Sequence, residues 1–201
     1  DFDDWRGAYP ADEPEAIPYL LPSRYAPADR FRHLATELFG GYSDPFHQAL
    51  AIEDWLFDNL DYVYGSSTEQ TWAPDTFDSR QGVCRDFAHL GITFCRALLL
   101  PARYVTAYGY GLDPQDFHAA FEVYIDGEWH LMDGTRLVPL NALAVIAIGR
   151  DAADTAVATV LGDIQSTGME IYVHEDESSS EKFEPITRSD LKEAGESIIL
   201  A

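Results

Sequence analysis

Basic residues are in short supply in this chain of 201: 13 Lys and Arg stand against 35 Asp and Glu, a formal charge of -22. Just two of the bases, Lys182 and Lys192, are lysines. A field of that sign repels phosphate backbones and anionic headgroups, so nucleic acid and membrane surfaces are not expected partners. Long apolar runs are missing as well, and no stretch reaches the roughly 18 residues that a membrane span needs. Cysteine is scarce, with Cys84 and Cys95 standing eleven apart in CRDFAHLGITFC, which reads as helix. A helix would hold them about 16 Å apart, well beyond the Cα separation of about 7 Å that a disulfide tolerates. Two free thiols fit a reducing compartment, so a cytoplasmic location is expected. The opening DFDDWRGAYPADEPEAIP is acidic and proline-rich, unlike a secretory leader, and does not start on Met, which reads as an excised or processed piece.

What is present is a globular composition, 46% apolar and 13% aromatic, enough for a core without covalent staples. Residues 1–27 read as an extended N-terminal segment because Pro10, Pro14, Pro18, Pro22 and Pro27 recur too often for helix. A helix is predicted over 28–39, ended by Gly40 and Gly41. A second runs from the Asp44-Pro45 start to about residue 60, with Leu50, Ile52, Trp55, Leu56 and Leu60 at helical spacing. Residues 61–82 form a polar connection with a short helical turn at 74–79, and a third helix covers 83–99, stopped by Pro101. The period then changes to two. Strands are predicted at 102–111, 117–125 and 128–134, the last two joined by the hairpin dipeptide Asp126-Gly127. The stretch 145–160 reads as strand, a turn at 150–154 and further strand, and 166–176 as one more strand. Residues 176–201 read as a polar tail with a short helix, leaving 28–175 as the main domain. Helices first and strands afterwards predict an α+β fold with the helices packed on an antiparallel sheet.

Three residues carry the chemistry. Cys84 lies at the predicted start of the third helix, where amide N–H groups lower a thiol's pKa, with Gly82 permitting a tight approach and Arg85 adding positive charge. Locally, a small buried hydrophobe is an equal reading of Cys84, and Cys95 reads as a core thiol. His118 and Asp133 are linked by the hairpin. A two-residue loop makes paired positions sum to 253, so Asp133 opposes Ala120 and shares a sheet face with His118 as a diagonal neighbour. The other face carries Phe117, Ala119, Phe121, Val123, Ile125 and Met132, an apolar set. Taken alone, the His/Asp pair also reads as a surface ion pair. Together, thiol, imidazole and carboxylate are the groups that thiol-based acyl transfer needs.

GVCRDFAHL followed by FHAAFEVYIDGEWHLMDGT resembles the transglutaminase-like superfamily of thiol enzymes. Its pattern is a Gly-x-Cys helix start, a His-Ala strand, and a Trp-containing strand ending in Asp. YLLPSRYAPADRF and GRDAADTAV resemble the microbial branch, so the likeness spans roughly residues 19–175. The resemblance implies a papain-like core with Cys84 as nucleophile, His118 as base and acid, and Asp133 as the orienting carboxylate. It also implies a cysteine peptidase or amidase acting on a peptide or protein substrate without a cofactor. An amine acceptor, making a true transglutaminase, and a catalytically silent binding module on the same fold are the alternatives. Two departures stand out: Ala119-Ala120 follows the histidine where Ala-Trp is usual, and Gly134-Thr135 follows the Asp where Pro-Thr or Ala-Arg is commoner.

For an oxyanion hole, the Cys84 backbone N–H is one expected donor, and Tyr62, Tyr64 and Trp72 are candidates for a second; packing against the second helix is the competing reading of those aromatics. No metal is expected, since Cys84, Asp86, His89 and His118 lack zinc-ligand spacing and HEDESSSE lacks a calcium loop's glycine and spaced ligands. His89 reads as packed, His33, His47, His130 and His174 as surface or packing residues, and Arg150, Asp151 and Asp154 as a turn that either shapes the cleft or is merely ion-paired.

Overall fold

Helical periodicity fills the first half of the chain and strand periodicity the second, and the computed structural model keeps that division. It describes residues 14–156, 163, 165, 168–176, 178, 182–194 and 196–199. The helices are α1 (Arg32–Phe39), α2 (Pro45–Asn59), α3 (Ala73–Ser79), α4 (Cys84–Ala97) and α5 (Arg188–Ala194). A four-stranded antiparallel sheet has the order β5-β4-β3-β6, and a two-stranded parallel pair joins β1 to β2. The strands are β1 (Asp61–Tyr62), β2 (Gln81–Gly82), β3 (Ala102–Gly109), β4 (Phe117–Ile125), β5 (Glu128–Met132) and β6 (Leu143–Gly149). No helix among the described residues is long and apolar enough to cross a membrane.

Local signals explain the boundaries. Asp44 caps α2, its carboxylate accepting the His47 N–H at 2.8 Å, with Pro45 in the first turn. Asp126 and Gly127 both take positive φ, 52° and 91°, as a primed hairpin turn requires. The β4–β5 register is the one that such a turn predicts, with Phe121 opposite Met132 and Ile125 opposite Glu128.

Helix α4 is the hub, lying against α1, α2, α3, β3 and β4. Every side chain from Asp86 to Ala97 is buried. Gly91 lets the helix close onto the sheet, since a Cβ there would fall 2.6 Å from the Phe121 ring. The basic member of this buried run, Arg96, is satisfied: its guanidinium donates to the carbonyls of Ala102, Leu21 and Arg150 and to Ser23 Oγ, at 2.6–3.0 Å. Arg96 thereby ties the N-terminal segment and the 150–154 turn to the core. Asp151 completes the tie by accepting the Tyr25 N–H at 2.9 Å.

Several expectations need correction. Pro14–Leu20 is a 3-10 helix rather than extended chain, and Ala28–Arg30 is a separate 3-10 turn before α1. The helical turn expected at 74–79 is present as α3, but the connection 61–82 also holds the β1–β2 pair, which was not expected. Residues 168–176 form no strand. There, Val173 exchanges hydrogen bonds with the side-chain amide of Gln115 instead of with a neighbouring strand. Of the second strand expected in 145–160, Thr155 and Ala156 are not strand and the rest lies outside the described residues, as do residues 166 and 167 of the strand expected at 166–176.

The largest difference concerns the sheet face that bears Ala120. It is covered, not open: Ala120 and Leu131 pack with Leu140, Leu191, Ile186 and Ile198. The segment read as a polar tail returns to the sheet because three apolar residues punctuate its charges, and Leu131 N–H donates to the Ile198 carbonyl at 2.9 Å.

Candidate active site

Chain pairing brings the site together. Tyr62 on β1 lies opposite Gly82 on β2, two residues before Cys84, so the parallel pair sets Tyr62 beside the start of α4. A Cβ on Gly82 would fall 2.8 Å from Asp86 Cβ, so this approach needs glycine. Asp86, fully buried, caps the helix by accepting the Val83 N–H at 2.9 Å. Arg85 spends its guanidinium on the Thr68 and Thr71 carbonyls and on Asp86, holding the preceding loop against the helix start.

Cys84 is half-buried at the first position of α4, whereas His118 and Asp133 are almost fully enclosed, at 1% and 2% exposure. His118 Nε2 and Asp133 Oδ2 are 2.8 Å apart. This is the pair that the hairpin register predicts, but it is a buried pair rather than a surface one. Asp133 Oδ1 accepts from both the N–H and the hydroxyl of Thr135, at 2.9 and 2.8 Å, so both carboxylate oxygens are engaged. Burial pushes the Asp133 carboxyl up, but the His118 charge and these hydrogen bonds outweigh it and hold the group below the usual carboxylate range. Burial likewise opposes charge on His118, yet Asp133, with help from the Cys84 thiol, raises the imidazole to about 10. With Nε2 occupied by Asp133, Nδ1 is the ring nitrogen left for the thiol.

The Tyr62 hydroxyl shares this corner. Burial and the nearby Cys84 thiol push its ionisation up, while the Cys84 backbone amide acts in the opposite direction. Of the other aromatic candidates, Tyr64 is 63% exposed and meets Tyr62 edge-on, and Trp72 lies beneath the Arg30 guanidinium. His89 is packed as expected, stacked between Tyr25 and Tyr104 and accepting the Ala152 N–H at 3.2 Å. His130 ties β5 to the C-terminal segment through Ser197 Oγ at 2.6 Å.

One neighbour of the site was not singled out from the sequence. Glu53 on α2, with no exposed surface, accepts the Asp133 N–H at 2.7 Å and pairs with Arg188 of α5. A lone Glu within AIEDWLF carries no local signal of this. Its partners lie 80 and 135 residues away.

The transglutaminase-like superfamily model matches residues 32–134, about half of the chain, a span that includes Cys84, His118 and Asp133. The chain belongs to the transglutaminase-like superfamily. Its structure is similar to a candidate cysteine protease from Cytophaga hutchinsonii, with a TM-score of 0.82 and 50% identity, covering 87% of this chain and 59% of that one. It is also similar to the periplasmic domain of TgpA from Pseudomonas aeruginosa, with a TM-score of 0.51 and 25% identity over 63% of this chain and 50% of the other. An uncharacterized protein of Mycobacterium leprae is 26% identical over 147 residues, covering 68% of this chain and 52% of its own length. The chain thus spans about half to three-fifths of these relatives. The fold is the mixed helix and antiparallel-sheet architecture of transglutaminase-like and papain-like cysteine proteases, and the family supports a thiol-dependent enzyme.

Proposed function

We propose that this protein is a thiol-dependent acyl-transfer enzyme that cleaves an amide bond in a peptide or peptide-like substrate, with Cys84, His118 and Asp133 as its triad. The observation that carries the reading is the buried His118–Asp133 pair at 2.8 Å beside a half-buried Cys84 at a helix start. With the Cys84 proton already on His118 Nδ1, where Asp133 favours the charged ring, the sulfur attacks the carbonyl carbon. The tetrahedral oxyanion forms near the Cys84 N–H, with the Tyr62 hydroxyl close by as the second donor. Collapse expels the amine, which receives its proton from His118, and leaves a thioester on Cys84. Water, deprotonated by the same imidazole, attacks that thioester; carboxylic acid leaves and the thiol is restored. Asp133 holds the ring and balances its charge throughout.

The test uses unfolded casein as substrate, with a fluorescent primary amine in parallel samples. The reading predicts new N-termini with the native chain and none with Cys84→Ala. Equal cleavage by Cys84→Ala would overturn it. Incorporation of the amine without cleavage would assign the acceptor as an amine instead of water.

A further inference from the structure

We infer that Glu53, held by Arg188, is a positioning residue for the candidate site: it fixes the main chain at Asp133 so that the carboxylate meets His118. The inference rests on the proposed triad for its bearing on turnover.

The charge of this pair is out of keeping with the rest of the chain. In a chain carrying -22, a glutamate with no exposed surface is buried against a second acid, Asp133, and one arginine is spent on it. Glu53 Oε1 accepts from the Asp133 N–H at 2.7 Å and from Arg188 Nη2 at 2.9 Å. Its Oε2 stands 2.6 Å from Arg188 Nε. The same Arg188 Nη2 donates to the Leu131 carbonyl at 2.7 Å. The pair therefore grips the end of β5 from both sides of Met132, at the carbonyl of residue 131 and the amide of residue 133. It does so without touching the Asp133 carboxylate, which stays free for His118 and Thr135.

A buried ion pair is a poor way to add stability, because apolar side chains of similar volume fill such a space as well or better. What leucine or methionine could not supply is an acceptor for the Asp133 N–H. Burial pushes the Glu53 carboxyl up; the Arg188 charge opposes this, and Asp133 adds to the rise. Arg188 thus opposes the rise that burial imposes on the acceptor, and α5 is the element that delivers it.

Two double variants separate positioning from packing. Both E53Q/R188M and E53L/R188M remove the ion pair, but only the first keeps an acceptor for the Asp133 N–H. The readouts are the ionisation of His118 by NMR of labelled histidine, assigned with His118→Asn, and the rate of Cys84 alkylation by iodoacetamide at pH 7. Positioning predicts that E53Q/R188M stays close to the native chain. E53L/R188M should lower the His118 value by about one unit or more and slow alkylation by roughly tenfold. Equal behaviour of the two variants would overturn the inference and leave Glu53 as packing. Should E53L/R188M fail to fold by circular dichroism, E53M/R188M carries the test. Methionine is unbranched like glutamine but offers the Asp133 N–H no oxygen acceptor, so it must shift His118 in the same direction; an unshifted His118 would be decisive against positioning. Neither readout needs a substrate, so a native chain that cleaves nothing would sink the enzyme reading and leave this one standing.

Discussion

Helix α4 carries both cysteines of the chain, and the contrast between its two ends shows what a fold adds to a residue type. Cys84 stands at the first position, half-buried, with His118, Tyr62 and a tight glycine approach around it. Cys95, eleven residues on, has no exposed surface, and burial pushes its thiol well above the ordinary range. One end of the helix faces buried polar partners delivered by β1, β4 and β5, while the other sits within the aromatic and aliphatic core. The same side chain is a nucleophile candidate in one setting and filler in the other.

Substitution of each thiol gives the widest expected separation. Cys84→Ala should reduce turnover by at least about a thousandfold with the fold intact. Cys95→Ala should keep turnover within a factor of about two while lowering stability by about 1 kcal/mol, read by urea denaturation. A Cys95→Ala chain as inactive as Cys84→Ala would erase the contrast.

Next in size is the partner pair. Asp133→Asn should bring the His118 ionisation down from about 10 toward the ordinary 6.5, measured by histidine NMR. Because the folded-state value lies above the ordinary one, the folded chain holds an extra proton between about 6.5 and 10. This contribution to stability is fully present below pH 6.5 and lost as pH rises through 10, a decline of up to a few kcal/mol. Thermal melts of native protein should show that decline, and His118→Asn should flatten it; a native chain equally stable across this window would contradict the pairing.

The smallest effects come from the two glycines at which α4 closes on its neighbours. Gly91→Ala drives a Cβ into the Phe121 ring and should cost about 2 kcal/mol while leaving Cys84 alkylation unchanged. Gly82→Ala, pressing on Asp86 Cβ, should do the opposite: a stability loss of about 1 kcal/mol with a measurable drop in Cys84 alkylation. Identical profiles for the two would mean that the two ends of the helix are not independent.

Much of this was legible from local signals. Asp44-Pro45 marks the start of α2, and the Asp126-Gly127 turn alone fixes the register that puts His118 within reach of Asp133. Long-range pairing was not legible. Nothing near Tyr62 announces its parallel partner Gly82, and nothing near Glu53 announces Arg188. The covering of the Ala120 face by Ile186, Leu191 and Ile198 was hidden for the same reason: the three are spaced too widely among charges to read as a buried element. Side-chain clamps also displaced an expected ladder, as where Gln115 holds Val173.

The central claim is that His118 and Asp133 activate Cys84 and leave Cys95 inert. The most direct measurement is iodoacetamide alkylation at pH 7, with the modified cysteine located by mass spectrometry in native protein and in His118→Asn. The account predicts modification at Cys84 alone, at a rate at least about tenfold above that of His118→Asn. Equal rates in the two chains, or Cys95 reacting alongside Cys84, would contradict it.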